Sequence, residues 1–480
     1  MSRTRRSLTI IFFSSNAVTV VNFVVSLILA RLLDPADIGI FSMTAVFVNI
    51  AHTFRDFGVS TYLQREKDLT PEKIRSASGL LFCSSWAMAL ILWLCSGPVA
   101  HFYNQPGVAE VIRVLAIGFC LIPFASVTHS LLRRNLEAEK QAIVMAVGTT
   151  AYAAACIGFA LAGFGYMSLA WANLVNIIAT IIGYLPFRPK GLPWLPSMRN
   201  WKGIARFGGG AVLGSLVTNI NSSLPDILLG KKMNAYSVGI YSRSNSLVEL
   251  FSYVAMPAIN NMAVPYIAQN YHGERPLSPM LCKAMSYLSG LAWPVLAVTA
   301  FHAEDMIRLL YGPKWLECVP LVGVMCLASA ARIPFSLTQN GLIAVGRPYL
   351  SVLPAMSTLA MRLGLALLLQ AHDLFWFACI FLIADVVTLP VVTAIWQKTF
   401  NVKMSEMARA LVPSAGVTLA CVAVSLALLR LPGDWLPVAR LLVVGMACGI
   451  TWLLAIKMLK HPLNAEIDMV LAKLWRRQAA

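Results

Sequence analysis

The dominant constraint on this chain is a series of apolar stretches, each long enough to cross a lipid bilayer as a helix. A bilayer core about 30 Å thick requires about 20 apolar helical residues. On this criterion the sequence contains fourteen predicted spans, which are 8–30, 38–62, 78–103, 111–132, 141–163, 165–187, 204–230, 236–262, 282–303, 317–343, 349–370, 373–397, 408–430 and 436–456. The predicted fold class is an all-α membrane protein with about 14 transmembrane helices.

The composition supports this prediction. Hydrophobic residues make up 58% of the 480 residues, charged residues only 12%, and the mean hydropathy is +0.71. A soluble chain usually carries about a quarter charged residues, so this surface has too few charges to face water. The net charge of +17 comes from basic residues in short clusters between the apolar stretches. Because these clusters form no single basic face or tail, the sequence argues against nucleic-acid binding.

The distribution of Lys and Arg predicts the orientation of the spans. With the N-terminus in the cytoplasm, 26 basic residues lie in cytoplasmic segments or the adjoining span ends, 8 lie in outer segments or the adjoining span ends, and 4 lie farther inside spans. The excess of positive charge predicts that both termini are cytoplasmic. The longest outer segment, 304–316, is too short for a catalytic domain. The ten cysteines form no C-x-x-C motif, and no nucleotide-binding loop is found, so we expect no enzyme activity, cofactor or metal.

The chain also contains an internal repeat. Ile38-Gly39-Ile40-Phe41-Ser42 recurs 200 positions later as Val238-Gly239-Ile240-Tyr241-Ser242, and further matches occur at offsets of 208 and 211 residues. An even number of spans per repeat predicts two parallel six-helix lobes, 1–200 and 204–400, around a central cavity. Two extra helices follow at 408–456, and 457–480 forms a basic cytoplasmic tail. Parallel repeats of this kind are typical of alternating-access transporters.

Polar residues at helical spacing mark the faces that we expect to line the cavity. They carry hydroxyl, amide or imidazole groups, and several have a counterpart one repeat away. The predicted set is Ser15, Thr19, Asn22, Asn49, His52, Asn219, Asn245, Gln339 and Asn340. The alternative is that these side chains only join helices by hydrogen bonds inside the bundle.

Charged residues within the spans are the strongest candidates for substrate or ion binding, because charge at membrane depth is costly. The cationic candidates are Arg55, Arg243, Arg332 and Arg362, of which the last two lie nearer mid-depth. Arginine binds phosphate through a fork of donors, so these residues predict an anionic head group. The acidic candidates for ion coupling are Asp226, Glu249 and Asp385. The alternative for both sets is that they pair with each other.

Three segments resemble a known family. They are LILARLLDPADIGIFSM at 27–43, RDFGVSTYLQREKDLT at 55–70 and LLYGPKWLECVPLVGVMC at 309–326. Together they resemble the Wzx-type polysaccharide transporters of the multidrug, oligosaccharidyl-lipid and polysaccharide exporter (MOP) superfamily. The likeness extends over nearly the whole chain and is greatest to exporters of exopolysaccharide and colanic-acid repeat units.

This resemblance implies a flippase that moves an undecaprenyl-diphosphate-linked oligosaccharide across the inner membrane for exopolysaccharide or lipopolysaccharide synthesis. The expected partners are that lipid-linked oligosaccharide, membrane lipids and the polysaccharide polymerase machinery, with the cycle driven by an ion gradient. Two alternatives stay open within the superfamily: a flippase for the lipid-linked peptidoglycan precursor, and a drug or cation antiporter. A membrane enzyme that polymerises glycans is a third, disfavoured by the short outer segments.

Overall fold

The computed structural model describes residues 3–56, 58–189, 197, 201–347, 349–429 and 437–469. All regular secondary structure in these ranges is helical. The α-helices are α1 (Arg3–Leu32), α2 (Pro35–Asp56), α3 (Val59–Arg65), α4 (Pro71–Tyr103), α5 (Gly107–Leu121), α6 (Pro123–Arg134), α7 (Ala138–Leu161), α8 (Met167–Tyr184), α9 (Trp201–Lys232), α10 (Ala235–Val248), α11 (Leu250–His272), α12 (Leu277–Phe301), α13 (Ala303–Leu310), α14 (Val319–Arg332), α15 (Thr338–Ala344), α16 (Val352–Leu368), α17 (Leu374–Phe400), α18 (Met404–Leu429) and α19 (Pro437–Met458). Short 3-10 helices lie at Leu185–Phe187, Pro313–Cys318 and Ile333–Phe335.

The fold class predicted from the sequence is confirmed. Ten of the described helical segments are long and apolar enough to cross a membrane, and the bent pair α5–α6 would make an eleventh. Helix α16, at 17 residues, is apolar but shorter than the ten. Helical structure lies at each of the fourteen predicted positions. The count of fourteen spans itself stays a prediction.

Large apolar side chains cover the outer faces of these helices. On α4, for example, Trp86, Leu90, Trp93 and Leu94 are each at least half exposed. Water would penalise such a surface, whereas the hydrocarbon of a bilayer matches it. The molecule is therefore a multi-pass membrane protein whose exposed apolar residues face lipid.

The chain divides into two compact units, Met1–Ser242 and Arg243–Ala480. In the first unit, an apolar cluster that includes Val59, Leu63 and Leu81 packs α3 against α4 and α6. In the second, Val417, Ile456 and Leu463 pack α18 and α19 together with the segment that follows them. The predicted lobe boundaries at 200 and 204 stay a prediction, and residues 470–480 of the predicted tail lie outside the described part of the chain.

Four of the predicted spans are interrupted, two in each unit. In the first unit, α2 and α3 are separated at Gly58, whose φ is 70°, and α5 and α6 meet at a bend of 56°. In the second unit, α10 and α11 are separated at Glu249, and a 3-10 turn separates α14 from α15. Proline explains two of these breaks, because Pro123 begins α6 and Pro334 lies in the 3-10 turn, and a proline cannot donate the helical hydrogen bond.

Candidate functional site

The interrupted spans supply the polar sites of both units. Where a helix breaks, backbone groups lose their partners, so broken helices at membrane depth are tolerated only where they are buried in protein or line a water-filled cavity. In transporters such helices commonly form the binding site. Both breaks of the first unit line one cavity, and the two breaks of the second unit meet through an ion pair.

The cavity of the first unit has a volume of about 710 Å³. Its walls come from α1, α2, α3, α6, α7 and α8, together with Ile122 at the bend between α5 and α6. Most of its hydrogen-bonding side chains are uncharged, and the charged ones are those of Arg55, Asp56 and Arg133. The polar lining residues are Arg55, Asp56, Ser60, Thr61, Gln64, Ser126, His129, Arg133, Thr149, Asn176, Thr180 and Tyr184. Only Arg55 of this lining belongs to the candidate set that the sequence predicted.

Arg55 is the residue of this cavity with the clearest need for a ligand. Its Nε is buried and has no hydrogen-bond partner among the described residues. The neighbouring Asp56 accepts a hydrogen bond from the Ser60 hydroxyl. A buried guanidinium group that keeps an unbonded donor is costly unless an anion or water supplies the acceptor. The cavity is therefore suited to an anionic group near Arg55.

The rest of the lining is fixed by hydrogen bonds between its own side chains. His129 Nδ1 lies 2.7 Å from the Tyr184 hydroxyl, and Asn176 donates to the Gly148 carbonyl at 3.2 Å. Thr180 lies 3.4 Å from the Asn176 side-chain oxygen. These contacts hold hydroxyl and amide groups at the cavity wall, where each can still donate or accept one more hydrogen bond.

The second unit holds a cluster of two arginines and two carboxylates. Arg362 donates from Nε to Asp385 Oδ1 and from Nη2 to Oδ2, both at 3.0 Å. The Arg362 side chain is 9% exposed and that of Asp385 only 2%, and the guanidinium group also lies over the Phe381 ring. Arg332 contacts Glu249 at 3.0 Å and lies 3.5 Å from Asp385. The predicted acids Glu249 and Asp385 therefore pair with two of the predicted arginines.

The remaining candidate residues differ in their contacts and in their burial. Asn219 donates to the Thr53 hydroxyl at 2.7 Å, His52 stacks on Phe119, and Asn340 donates to Asn260 at 2.8 Å. Arg243 is buried, and Asp226 and Asn245 are half-buried. Thr19 is also half-buried, and four further candidates are exposed, namely Ser15, Asn22, Asn49 and Gln339. Among the described residues no group of three or more His, Cys, Asp or Glu has metal-binding geometry.

Comparison with solved structures identifies the fold. The fold is similar to the lipid II flippase MurJ, with a TM-score of 0.70 and 11% identity over 94% of this chain and 99% of that one. It is also similar to a multidrug resistance MATE family transporter of the MOP superfamily, with a TM-score of 0.64 and 16% identity over 80% of this chain and 96% of that one. The chain thus has the fold of a MOP-superfamily membrane transporter.

The sequence comparison gives the family. Residues 28–320 match the family described as polysaccharide biosynthesis protein, and the chain belongs to it. Similar proteins include the succinoglycan biosynthesis transport protein ExoT of Rhizobium meliloti, 23% identical over 68% of this chain and 66% of ExoT. The lipopolysaccharide biosynthesis protein WzxC of Escherichia coli is 22% identical over 64% of this chain and 62% of WzxC. The chain spans about two thirds of the length of these relatives, and the resemblance predicted from the sequence is confirmed.

Proposed function

We propose that this protein is a flippase for an undecaprenyl-diphosphate-linked oligosaccharide repeat unit, used in exopolysaccharide or lipopolysaccharide synthesis. The observation that carries the proposal is the polar cavity of the first unit, whose lining combines two arginines with many hydroxyl and amide groups. Its relatives ExoT and WzxC are named for transport or synthesis of polysaccharides. Alternating access would expose the substrate site first to the cytoplasm and then to the outer side.

The chemistry of the cavity suits the two polar parts of such a substrate. Arginine offers planar, paired donors to phosphate oxygens, and Arg55 holds a donor with no partner among the described residues. Sugar hydroxyls both donate and accept hydrogen bonds, as do the side chains of Asn176, Thr180 and Tyr184. A cavity of about 710 Å³ is of the size that holds a small ligand, so it would take part of the head group. The polyprenyl chain stays in the bilayer.

The second unit contributes a different set of residues to the proposed function. Arg332 is 43% exposed on its side chain and is the cluster member that could reach an anionic substrate. Arg362, which is bonded twice to Asp385, is proposed to hold the helices together. Arg243, Gln339 and Asn340 complete the proposed substrate-facing set of this unit.

We further propose that the protein lies in a bacterial inner membrane with both termini in the cytoplasm. It acts without covalent chemistry on the sugar and delivers its substrate to a polymerase at the outer leaflet. The fold is shared with a drug transporter and with the lipid II flippase, so the fold alone does not choose the substrate. The cavity lining holds two arginines against one carboxylate, that of Asp56, and this excess of positive charge disfavours a cationic drug.

The test is the pool of lipid-linked oligosaccharide in a strain that lacks this gene, resolved by leaflet. Accumulation of completed repeat units facing the cytoplasm, with no polymer outside, is the expected result and would also identify the sugar. Complementation with the wild-type gene should restore the polymer. Normal pools and export, together with altered sensitivity to cationic compounds, would instead support an antiporter. Accumulation of the lipid-linked peptidoglycan precursor would instead support a flippase for that precursor.

A further inference from the structure

Pro334 deprives one carbonyl group near the end of α14 of its usual donor. In an α-helix the amide of each residue donates to the carbonyl four residues earlier, and proline has no amide hydrogen, so the helix cannot bond the Ala330 carbonyl in this way. Trp293 of α12 donates from Nε1 to that carbonyl oxygen at 2.8 Å. An indole group of one span therefore supplies the bond that the break in another span removes.

The other side of this break is also held by a tryptophan. Trp396 of α17 is fully buried and donates from Nε1 to the hydroxyl of Thr338, the first residue of α15, at 2.8 Å. The same hydroxyl donates to the Phe335 carbonyl at 2.6 Å. The 3-10 turn between α14 and α15 is thus fixed at both ends by indole groups from neighbouring helices.

A related bond occurs in the first unit, at the break that also contains a proline. Trp86 of α4 donates from Nε1 to the Cys120 carbonyl at 3.3 Å, three residues before Pro123 begins α6. Trp86 and Trp293 lie 207 residues apart. The two prolines lie 211 apart, and both distances are close to the offsets of the internal repeat. Recurrence at repeat-related positions indicates that the indole bond belongs to the break itself.

The turn of α14 that Trp293 holds carries an arginine of the proposed substrate site. Arg332 lies two residues after Ala330 and is the last residue of α14. Its Nη2 donates to Glu249 Oε1 at 3.0 Å and to the Ser329 hydroxyl at 3.1 Å. Because the Arg332 side chain is 43% exposed, its position depends largely on the backbone that carries it.

We propose that Trp293 is a positioning residue for substrate binding and acts through Arg332. The inference rests on the proposed function, because it takes Arg332 to face the substrate. Without the indole donor, the Ala330 carbonyl lies within a span with no helical partner, which is costly at membrane depth. The last turn of α14 then shifts to reach another donor, and Arg332 leaves the place from which it meets an anionic group.

The first measurement is the unfolding temperature of the purified full-length protein in detergent. Trp293→Phe keeps an aromatic ring but removes the donor, so its unfolding temperature should fall below that of the wild type. Pro334→Ala returns an amide donor to the Ala330 carbonyl. Trp293→Phe should therefore lower the unfolding temperature much less in a Pro334→Ala background than in the wild type. Equal decreases in the two backgrounds would overturn the inference, because the indole would then not replace the missing donor.

The second measurement separates positioning from stability. The affinity for undecaprenyl diphosphate is measured by calorimetric titration, at a temperature at which every variant is folded. Trp293→Phe should bind this probe about tenfold more weakly, the order expected when one buried acceptor loses its donor. In an Arg332→Ala background Trp293→Phe should cause no further loss, because the residue through which it acts is gone. A further tenfold loss in that background would overturn the inference.

Trp452→Phe is the matched control. Trp452 of α19 donates from Nε1 at 2.8 Å to the Gly290 carbonyl, which Pro294 leaves without its helical donor. This variant therefore removes a bond of the same kind and length, but from α12 and not from the break that carries the arginine. Its unfolding temperature should fall, and its affinity for the probe should equal that of the wild type. Equal losses of affinity in Trp452→Phe and Trp293→Phe would assign both losses to stability and overturn the inference.

The outcomes also separate the inference from the proposed function. A wild type that binds undecaprenyl diphosphate no more tightly than Trp293→Phe does would overturn the inference and leave the flippase intact. A wild type that does not bind this probe would contradict the proposed function, and the role of Trp293 in substrate binding with it. If Trp293→Phe alone does not fold, the double variant with Pro334→Ala should fold, because its Ala330 carbonyl has a donor again. Failure of that double variant to fold would overturn the inference.

Discussion

Gly39 and Gly239, which lie 200 residues apart, each press against the start of the helix that carries the other. A Cβ atom on Gly39 would lie 1.7 Å from the Ala235 carbonyl oxygen, and one on Gly239 would lie 1.9 Å from the Pro35 carbonyl oxygen. Because Pro35 and Ala235 are themselves 200 residues apart, the contact is reciprocal. Both glycines belong to the repeated pentapeptide, so these repeat-related positions touch each other.

Gly39→Ala should destabilise the protein. Its new methyl group would overlap a backbone carbonyl, which cannot move aside as a flexible side chain can, so α2 and α10 would have to separate. Overpacking of this kind typically costs about 1–3 kcal/mol. The measurement is the thermal unfolding temperature of the purified variant, with Gly239→Ala expected to behave in the same way.

Gly158→Ala is the matched control for this prediction. Gly158 also lies inside a helix, α7, but no described atom outside that helix's own backbone lies within 4 Å of the position its Cβ would take. The substitution should therefore be neutral or stabilising by up to about 1 kcal/mol, through helix propensity alone. Equal unfolding temperatures for Gly39→Ala and Gly158→Ala would show that the close approach of the helices is not required.

The fold could be predicted from the sequence because apolar length is a local property. Each predicted span coincides with helical structure, since about 20 apolar residues in lipid have few alternatives to a helix. The four helix breaks were not predicted. Pro123 and Pro334 are local signals that could have located two of them. The breaks at Gly58 and Glu249 depend on tertiary packing, which has no comparable signal in a single sequence.

The candidate site was predicted only in part, for a related reason. A charge inside a span is visible in the sequence, so Arg55, Arg332 and Glu249 could be selected. Which arginine meets which carboxylate depends on the folding of four helices around one point, and the Arg362–Asp385 pair could not be derived. Arg133 was missed as a lining residue because its place next to Arg134 is typical of a cytoplasmic flank.

Arg362→Ala should unfold the second unit more readily than it alters substrate binding. Removing Arg362 leaves Asp385, which is 2% exposed, without its two hydrogen bonds. Breaking a buried ion pair on one side typically costs about 3–5 kcal/mol. The amount of folded protein in the membrane and its unfolding temperature should both decrease.

The double variant Arg362→Met with Asp385→Leu tests the reason for this loss. Replacing both partners by apolar residues of similar volume removes the unpaired charge, so stability should return to near that of the wild type. If Arg362→Ala instead folds normally and polymer export is lost, Arg362 contacts the substrate and the ion pair is not its main role.

Arg55→Ala should reduce export without destabilising the protein, which is the opposite of the result expected for Arg362→Ala. Because Arg55 Nε is buried with no hydrogen-bond partner among the described residues, removing the side chain should relieve part of the cost of burying the charge. We expect an unfolding temperature at or above that of the wild type and at least tenfold less exported polymer. Arg55→Lys keeps the charge without the fork and should restore export in part.

Arg308→Ala is the control for Arg55, because this exposed arginine pairs with Glu304 one helical turn away, and such pairs contribute little. Export by this variant should equal that of the wild type. Normal export by Arg55→Ala at normal protein levels would remove Arg55 from the proposed phosphate site.

The stability of the second unit should decrease in mild acid because of His461. This residue follows the last span and is 1% exposed, with Nε2 3.0 Å from the Ser414 hydroxyl and 3.2 Å from that of Ser286. Its Nδ1 accepts the Leu463 amide hydrogen at 3.1 Å, so this nitrogen carries no proton. Burial lowers the pKa of His461 from its ordinary value. A proton on Nδ1 would also clash with the amide hydrogen of Leu463, which points at the same nitrogen.

The direction of the pH effect follows from that lowered pKa. Below about pH 6.5, the ordinary value, the unfolded chain binds a proton at this position that the folded chain excludes. Above that pH, His461 therefore does not change the free energy of unfolding. As the pH falls below it, His461 lowers the free energy of unfolding by no more than about 1.4 kcal/mol per pH unit. Between pH 7 and pH 5 the unfolding temperature of the wild type should fall further than that of His461→Gln, which can still donate to Ser414 but does not titrate. Parallel losses in the two proteins would assign the acid sensitivity to other groups.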